Sequence, residues 1–236
     1  MSKTAIVTGG SRGIGFATAN KLASQGYNVL ITAKTLHSLE KAAERIKKNN
    51  PTAEIKYKAC DISEIEEVRN LFSYAEEIFT KADILVNAAA IVHNQEFISL
   101  NINDWQELMD INVRGTVVCC HEAFKAMRDK GGAIINLSSL GGVSNFTKFP
   151  GFSSYVTSKF AITGLTESLA VEGKPYKIRV NAIAPGAVDT DMLKQAAPGL
   201  KTTTKPDDIA ETICYLCDPS KSGHINGTVL TINTNE

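Results

Sequence analysis

Short runs of apolar and β-branched residues alternate along this chain with longer stretches in which apolar positions recur every three to four residues. The strand-like runs cover residues 4–8, 28–33, 54–59, 84–87, 133–137, 179–184 and 228–232. Several are apolar almost throughout, as strands covered on both faces must be. The helix-like patterns cover 14–25, 36–49, 64–80, 105–128, 155–172 and 206–217. The Asp61-x-x-Glu64 and Ser63-x-x-Glu66 spacings suit a helix entry, where a side-chain oxygen caps free N–H groups. Strand–helix alternation with short links implies right-handed crossovers and a parallel sheet. The expected fold is therefore α/β: a Rossmann-like, doubly wound parallel sheet of about seven strands with helices on both faces.

Composition narrows the picture further. Of 236 residues, 43% are hydrophobic and 21% charged, an ordinary globular balance. No linker, repeat or low-complexity run divides the chain, so one domain over residues 1–236 is expected. Lys plus Arg equals Asp plus Glu at 25 each, without a basic stripe, so nucleic acid is not an expected partner. The N-terminus has no signal-peptide pattern, and apolar stretches break within about ten residues, too short to span a bilayer. A soluble, cytoplasmic protein with no membrane partner is expected. Cys60, Cys119, Cys120, Cys214 and Cys217 lack the second pair a zinc site needs, and His37, His93, His121 and His224 are scattered. No metal is expected.

The first strand runs into Thr8-Gly9-Gly10-Ser11-Arg12-Gly13-Ile14-Gly15, and a helical pattern follows at once. Gly9 permits the tight turn, Gly13 lets backbone approach a pyrophosphate, and Gly15 lets helix and strand pack closely. The phosphates then sit on the helix N-terminus, whose free N–H groups and dipole favour an anion. The strand-before, helix-after context is the support such a motif requires. Where NAD-binding sites place a carboxylate for the ribose 2′-OH, the second strand ends Thr32-Ala33-Lys34. A cation there attracts a 2′-phosphate, which favours NADP(H) and leaves NAD(H) open.

Tyr155-Val-Thr-Ser-Lys159 places a phenol and an ammonium on one helix face. A free Tyr has a pKa near ~10, and a nearby Lys⁺ favours the phenolate, so the spacing predicts a Tyr155 tuned downward toward neutral pH.

With the G-x-x-x-G-x-G spacing and Tyr-x-x-x-Lys in this order, the sequence resembles the short-chain dehydrogenase/reductases over nearly its whole length, and is similar to 3-oxoacyl-[acyl-carrier-protein] reductases. The resemblance places Arg12 at the 2′-phosphate and Asp61, with Ile62 after it, near the adenine ring. Asn87-Ala88-Ala89-Ala90 stands where the family usually has Asn-Asn-Ala-Gly, so position 90 need not adopt φ > 0, or the loop has shifted. Ser139 is assigned to hold the carbonyl oxygen, with Ser138 a substitute because the 140–154 segment is about three residues longer than usual. Asn112 matches an asparagine that orders a water leading to the lysine. Pro185-Gly186-Ala187-Val188-Asp189-Thr190 resembles the nicotinamide-side loop, with Val188 backbone and the Thr190 hydroxyl anchoring the carboxamide.

The implied reaction is hydride transfer between NADP(H) and a ketone or 3-oxoacyl-type carbonyl/alcohol pair, catalysed by Asn112, Ser139, Tyr155 and Lys159, with Tyr155 and Lys159 also touching the cofactor. An NAD(P)-dependent alcohol or sugar dehydrogenase is the alternative among enzymes. A non-catalytic dinucleotide sensor or scaffold is the alternative outside them, and the four intact catalytic positions argue against it. Segments 90–94, 141–152 and 192–196 are the pocket candidates, with Phe146, Phe149 and Phe152 suiting a hydrophobic small-molecule substrate. Segment 191–205 is short for a lid, so a more open site is expected. The chain ends without the family's Asp-Gly-Gly, a tetramer-contact feature, while 105–128 and 155–172 resemble its dimer helices. A homodimer or homotetramer is expected.

Overall fold

The structure is a computed structural model and describes residues 3–233. One sheet holds seven strands: β1 Thr4–Thr8, β2 Asn28–Ala33, β3 Ile55–Ala59, β4 Ile84–Asn87, β5 Gly132–Leu137, β6 Ile178–Pro185 and β7 Val229–Ile232. All pairings are parallel, in the order β3-β2-β1-β4-β5-β6-β7. The chain winds outward from β1 to β3, then returns to the other side of β1. That reversal opens a crevice at the carboxyl ends of β1 and β4, where ligands bind in open α/β sheets.

Successive strand residues point to opposite faces, so the apolar runs feed two cores. Ala5, Val7, Val29, Ile31 and Val86 pack with α1 (Gly13–Ser24), α2 (Leu36–Asn49) and α8 (Pro206–Cys217). Ile6, Leu30, Leu85 and Ile134 pack with α3 (Ile65–Phe79), α5 (Thr116–Met127) and α6 (Ser153–Glu172). Most element ends fall within two residues of those the pattern predicts.

Three local expectations need correction. The helix expected over 105–128 is α4 (Ile102–Met109), a π-helical segment (Asp110–Gly115) and then α5. Asn101 moves its start upstream by accepting from the Asn103 N–H at 2.9 Å. The entry to α3 is not capped as the spacings suggest: its N-cap is Glu64, whose side chain makes no cap bond. Asp61 instead accepts from Ser63 N and Oγ at 3.0 and 2.7 Å, an Asx turn that consumes both groups before the helix begins. Two short helices were not anticipated, α7 (Asp191–Ala196), capped by the Thr190 hydroxyl, and Pro219–Ser222, capped by Asp218.

No helix among the described residues is long and apolar enough to cross a membrane. All five cysteines are free and buried, and burial pushes the Cys214 thiol up to about 12. Among the described residues no group of three or more His, Cys, Asp or Glu is placed to hold a metal. The chain-end expectation lies, for residues 234–236, outside the described residues.

Candidate active site

The glycine turn is built as its sequence requires. Gly9 sits at φ +64°, and a Cβ there would meet Ala89 Cα at 2.8 Å; a Cβ at Gly15 would run into the Gly9 carbonyl. Both demand glycine, and together they hold the start of α1 against the end of β1. Arg12 is the N-cap of α1 and makes no side-chain cap bond, and the first turn carries no acid. The helix therefore presents unpaired N–H groups and its positive end to the crevice, with Ser11 and Ile14 flanking. A dinucleotide pyrophosphate fits this cradle: space that side chains would fill is kept empty, and the electrostatics favour an anion.

A residue whose part the sequence reading did not assign joins this turn to the next loop. The buried Thr8 hydroxyl accepts from the Ala88 and Ala89 N–H groups at 3.1 and 3.2 Å. Ala90 keeps negative φ, since the positive-φ residues other than glycine are Thr80, Asn145 and Lys177. Asn87 points into the core, donating to Asn136 Oδ1 at 2.9 Å, and Asn136 donates in turn to Thr166 Oγ1 at 3.0 Å. Its register with Asn136 on β5 was invisible in sequence, because only strand pairing brings the two together.

The expected 2′-phosphate partners differ in state. Arg12 is exposed and makes no ion pair among the described residues, whereas Lys34 Nζ lies 2.6 Å from Asp61 Oδ2. Burial pushes the Asp61 carboxyl up, but hydrogen bonds from Lys34 and Ser63 outweigh it and leave the pKa below the ordinary value. Ile62 is buried, its carbonyl close against Gly115 of the π-helical segment.

Tyr155 and Lys159 rise from the first two turns of α6. Lys159 is 4% exposed, and its Nζ donates to the Leu137 carbonyl at 2.7 Å and lies 5.5 Å from the Tyr155 ring centroid. Burial lowers the lysine to about 8 and raises the Tyr155 phenol to about 12, with a hydrogen bond involving Ser139 pulling the phenol the other way. The downward tuning expected from the i, i+4 spacing is thus absent in the protein by itself. Desolvation dominates, and the ammonium is bound to a carbonyl rather than aimed at the phenol oxygen. Ser139 N-caps the short Leu140–Gly142 turn, its Oγ accepting from Gly141 N at 3.1 Å. Ser138 cannot substitute for it: its hydroxyl donates to the Lys159 carbonyl at 3.1 Å and meets Thr163 Oγ1 at 3.0 Å, deep beneath α6.

Asn112 lies in the π-helical segment and is buried. Its Oδ1 accepts from Ile91 N at 2.9 Å, and its Nδ2 donates to Ile91 O at 2.9 Å and Ser158 Oγ at 3.2 Å. The amide therefore fastens the loop after β4 to α6 one residue from Lys159. Ser158 and Gly142 complete this frame; a Cβ at Gly142 would meet the Lys159 carbonyl oxygen at 2.5 Å. Neither was singled out in sequence, since their role is set by close approach of another segment.

On the far side, β6 ends at Pro185, and Gly186 N donates to Ile232 O at 3.0 Å. Val188 is buried with its carbonyl accepting from Thr190 Oγ1 at 3.2 Å, and that hydroxyl also accepts from Leu193 N at 3.2 Å. Gly13 and Thr190 face each other, the glycine's Cβ position lying 3.5 Å from Thr190 Cγ2, which closes the crevice between turn and loop.

The three predicted pocket segments do meet. Asn94 Nδ2 donates to Ala196 O at 2.9 Å, and Gln95 N donates to Gly151 O at 2.9 Å, where Gly151 takes φ +84°. The longer segment before α6 is pinned by Lys148, whose Nζ donates to Leu140 O at 3.1 Å and Val143 O at 2.5 Å. Lys205 and Lys194 both pair with Asp189, at 2.7 and 3.1 Å, folding 197–205 back onto the loop after β6.

Residues 3–201 match the family described as short chain dehydrogenase. The chain is 35% identical to a 3alpha-hydroxysteroid dehydrogenase of Mediterraneibacter gnavus, covering 98% of this chain and 96% of that protein. It is 33% identical to a 3-oxoacyl-[acyl-carrier-protein] reductase of Aquifex aeolicus, with 98% and 96% covered. Among solved structures, levodione reductase superposes with a TM-score of 0.90 at 29% identity, covering 98% of this chain and 95% of that one. A 3-ketoacyl-(acyl-carrier-protein) reductase from Brucella melitensis complexed with NADH gives 0.89 at 28% identity, covering 98% and 96%.

Proposed function

The chain belongs to the short chain dehydrogenase family, oxidoreductases acting on CH–OH/C=O pairs with NAD(P), and we propose that within it this protein is an NADP(H)-preferring reductase of a ketone or 3-oxoacyl-type carbonyl. The observation that carries this reading is the glycine cradle at the α1 N-terminus, with Arg12 on its turn and Lys34 just past β2, combined with a half-buried Tyr155 whose hydroxyl is hydrogen-bonded with Ser139. A protonated phenol is the donor that a carbonyl reduction needs at its oxygen. A bound nicotinamide would supply the hydride. Ser139 hydrogen-bonds the carbonyl oxygen, Tyr155 gives its proton to the developing alkoxide, and Lys159 and Asn112 hold α6 and the loop after β4 in position. Gly9, Gly13, Gly15 and the α1 N-terminus hold the pyrophosphate, Arg12 and Lys34 the 2′-phosphate, Asp61 and Ile62 the adenine side, and Pro185–Thr190 the carboxamide side.

The likeness to a protein named as a hydroxysteroid dehydrogenase supports alcohol oxidation as a second reading, with the same residues run in reverse. Exposed Val117 on α5 and Phe160 and Val171 on α6 support self-association through these helices.

The test is a fluorescence titration with NADPH and NADH, followed by turnover on a panel of ketones. NADPH should bind more tightly, Arg12→Ala should erase most of the difference, and Tyr155→Phe should lower kcat by about 10²–10⁴-fold while leaving cofactor affinity within about twofold. Tighter NADH binding, or an active Tyr155→Phe, overturns the reading.

A further inference from the structure

The two cations expected at a 2′-phosphate stand in different relations to the rest of the protein. Arg12 extends from the glycine turn without an ion pair among the described residues. Lys34 is tethered. Parallel register pairs Ala33 with Ala59, so the residues that follow these strand ends, Lys34 and Asp61, emerge side by side. The carboxylate is the fixed member. Its Oδ1 is taken by Ser63 N and Oγ, the Asp61 N–H donates to Glu67 Oε2 at 2.7 Å, and the side chain is 17% exposed. The lysine is the adaptable member, with a side chain 75% exposed. Two further acids, Glu67 and Glu107, act on the lysine from the surrounding elements. An anion that engages Lys34 must share it with a carboxylate already in contact, and must sit in that carboxylate's field.

We propose that Asp61 is a specificity-determining residue that acts through Lys34, holding the lysine away from full engagement of a 2′-phosphate and so narrowing the preference for NADPH over NADH. This rests on the NADP(H) reading above. Arg12 then supplies most of the discrimination, and Lys34 supplies a part that Asp61 limits. Any contact Asp61 makes on the adenine side is common to the two cofactors and cancels in the ratio of their affinities.

The experiment is a set of fluorescence titrations of the full chain with NADPH and NADH, for wild type, Lys34→Ala, Asp61→Asn and the double variant. Asparagine keeps the Oδ1 acceptor for Ser63, and thermal unfolding checks that each variant is folded. The readout is the ratio Kd(NADH)/Kd(NADPH). An exposed ion pair is worth only a modest factor, so Asp61→Asn should raise the ratio about two- to fivefold. Lys34→Ala should lower it, and in that background Asp61→Asn should change it less than about twofold. An unchanged or lowered ratio in Asp61→Asn, with Lys34→Ala still lowering it, overturns this inference and leaves the NADP(H) reading intact. An equal rise with and without Lys34 also overturns it, because the carboxylate then acts by direct repulsion. If Lys34→Ala and Arg12→Ala both leave the ratio unmoved, the NADP(H) reading falls and this inference falls with it.

Discussion

Lys159 shows what burial does to a single charge. Its pKa falls from 10.5 to about 8 because the ammonium loses water and gains one carbonyl in return. Between those two values the unfolded chain binds the proton and the folded protein does not, so stability from this group rises with pH across about 8 to 10.5. Below pH 8 the full cost is present, on the order of 3 kcal/mol at about 1.4 kcal/mol per unit. Lys159→Met should therefore raise the thermal midpoint at pH 7 by several degrees and narrow its gain above pH 10, as calorimetry at the two values would show. A destabilised variant at pH 7 would mean that the Leu137 hydrogen bond outweighs desolvation. The neighbouring Tyr155 carries the complementary lesson: the same dry environment that lowers the base raises the acid.

At the scale of elements, the glycine turn is a tight joint between β1 and α1. Because a Cβ at Gly15 meets backbone rather than a yielding side chain, Gly15→Ala should cost about 2–3 kcal/mol in denaturant unfolding and weaken both cofactors alike. A preference shifted between NADPH and NADH would contradict that, since the pyrophosphate is common to both. The π-helical segment is the other joint. It places Asn112 inward, where the side chain clamps Ile91 and reaches Ser158, and its backbone carbonyl accepts from Thr116 Oγ1 at 2.9 Å. The turn and Tyr-x-x-x-Lys were legible as local spacings. The π-helical segment was not, because the 105–128 pattern reads as continuous helix and the insertion is stabilised from outside, by Ile62 packed on Gly115.

Across the whole molecule, Asn94 ties the loop after β4 to α7 and lies against Gly151, which joins the segments proposed to line the substrate pocket. Asn94→Ala should raise KM for the carbonyl substrate about three- to tenfold, through loosened loops, with cofactor Kd unchanged. Equal loss in both would place Asn94 in the general architecture instead. The crevice, the two-sided core and the order of motifs were all readable from the sequence, because apolar period, glycine placement and i, i+4 spacing are local properties that each residue type enforces by itself. The choice between Ser138 and Ser139 came from resemblance, with Ser138 left as a substitute: both lie past the end of β5, and only the packing of α6 over the Ser138 hydroxyl separates them. The pairing of Lys34 with Asp61, the Asn87–Asn136 bond and the raised Tyr155 pKa likewise belong to the tertiary structure. Each depends on which groups meet across strands, and on how much water their meeting excludes, and a linear pattern encodes neither.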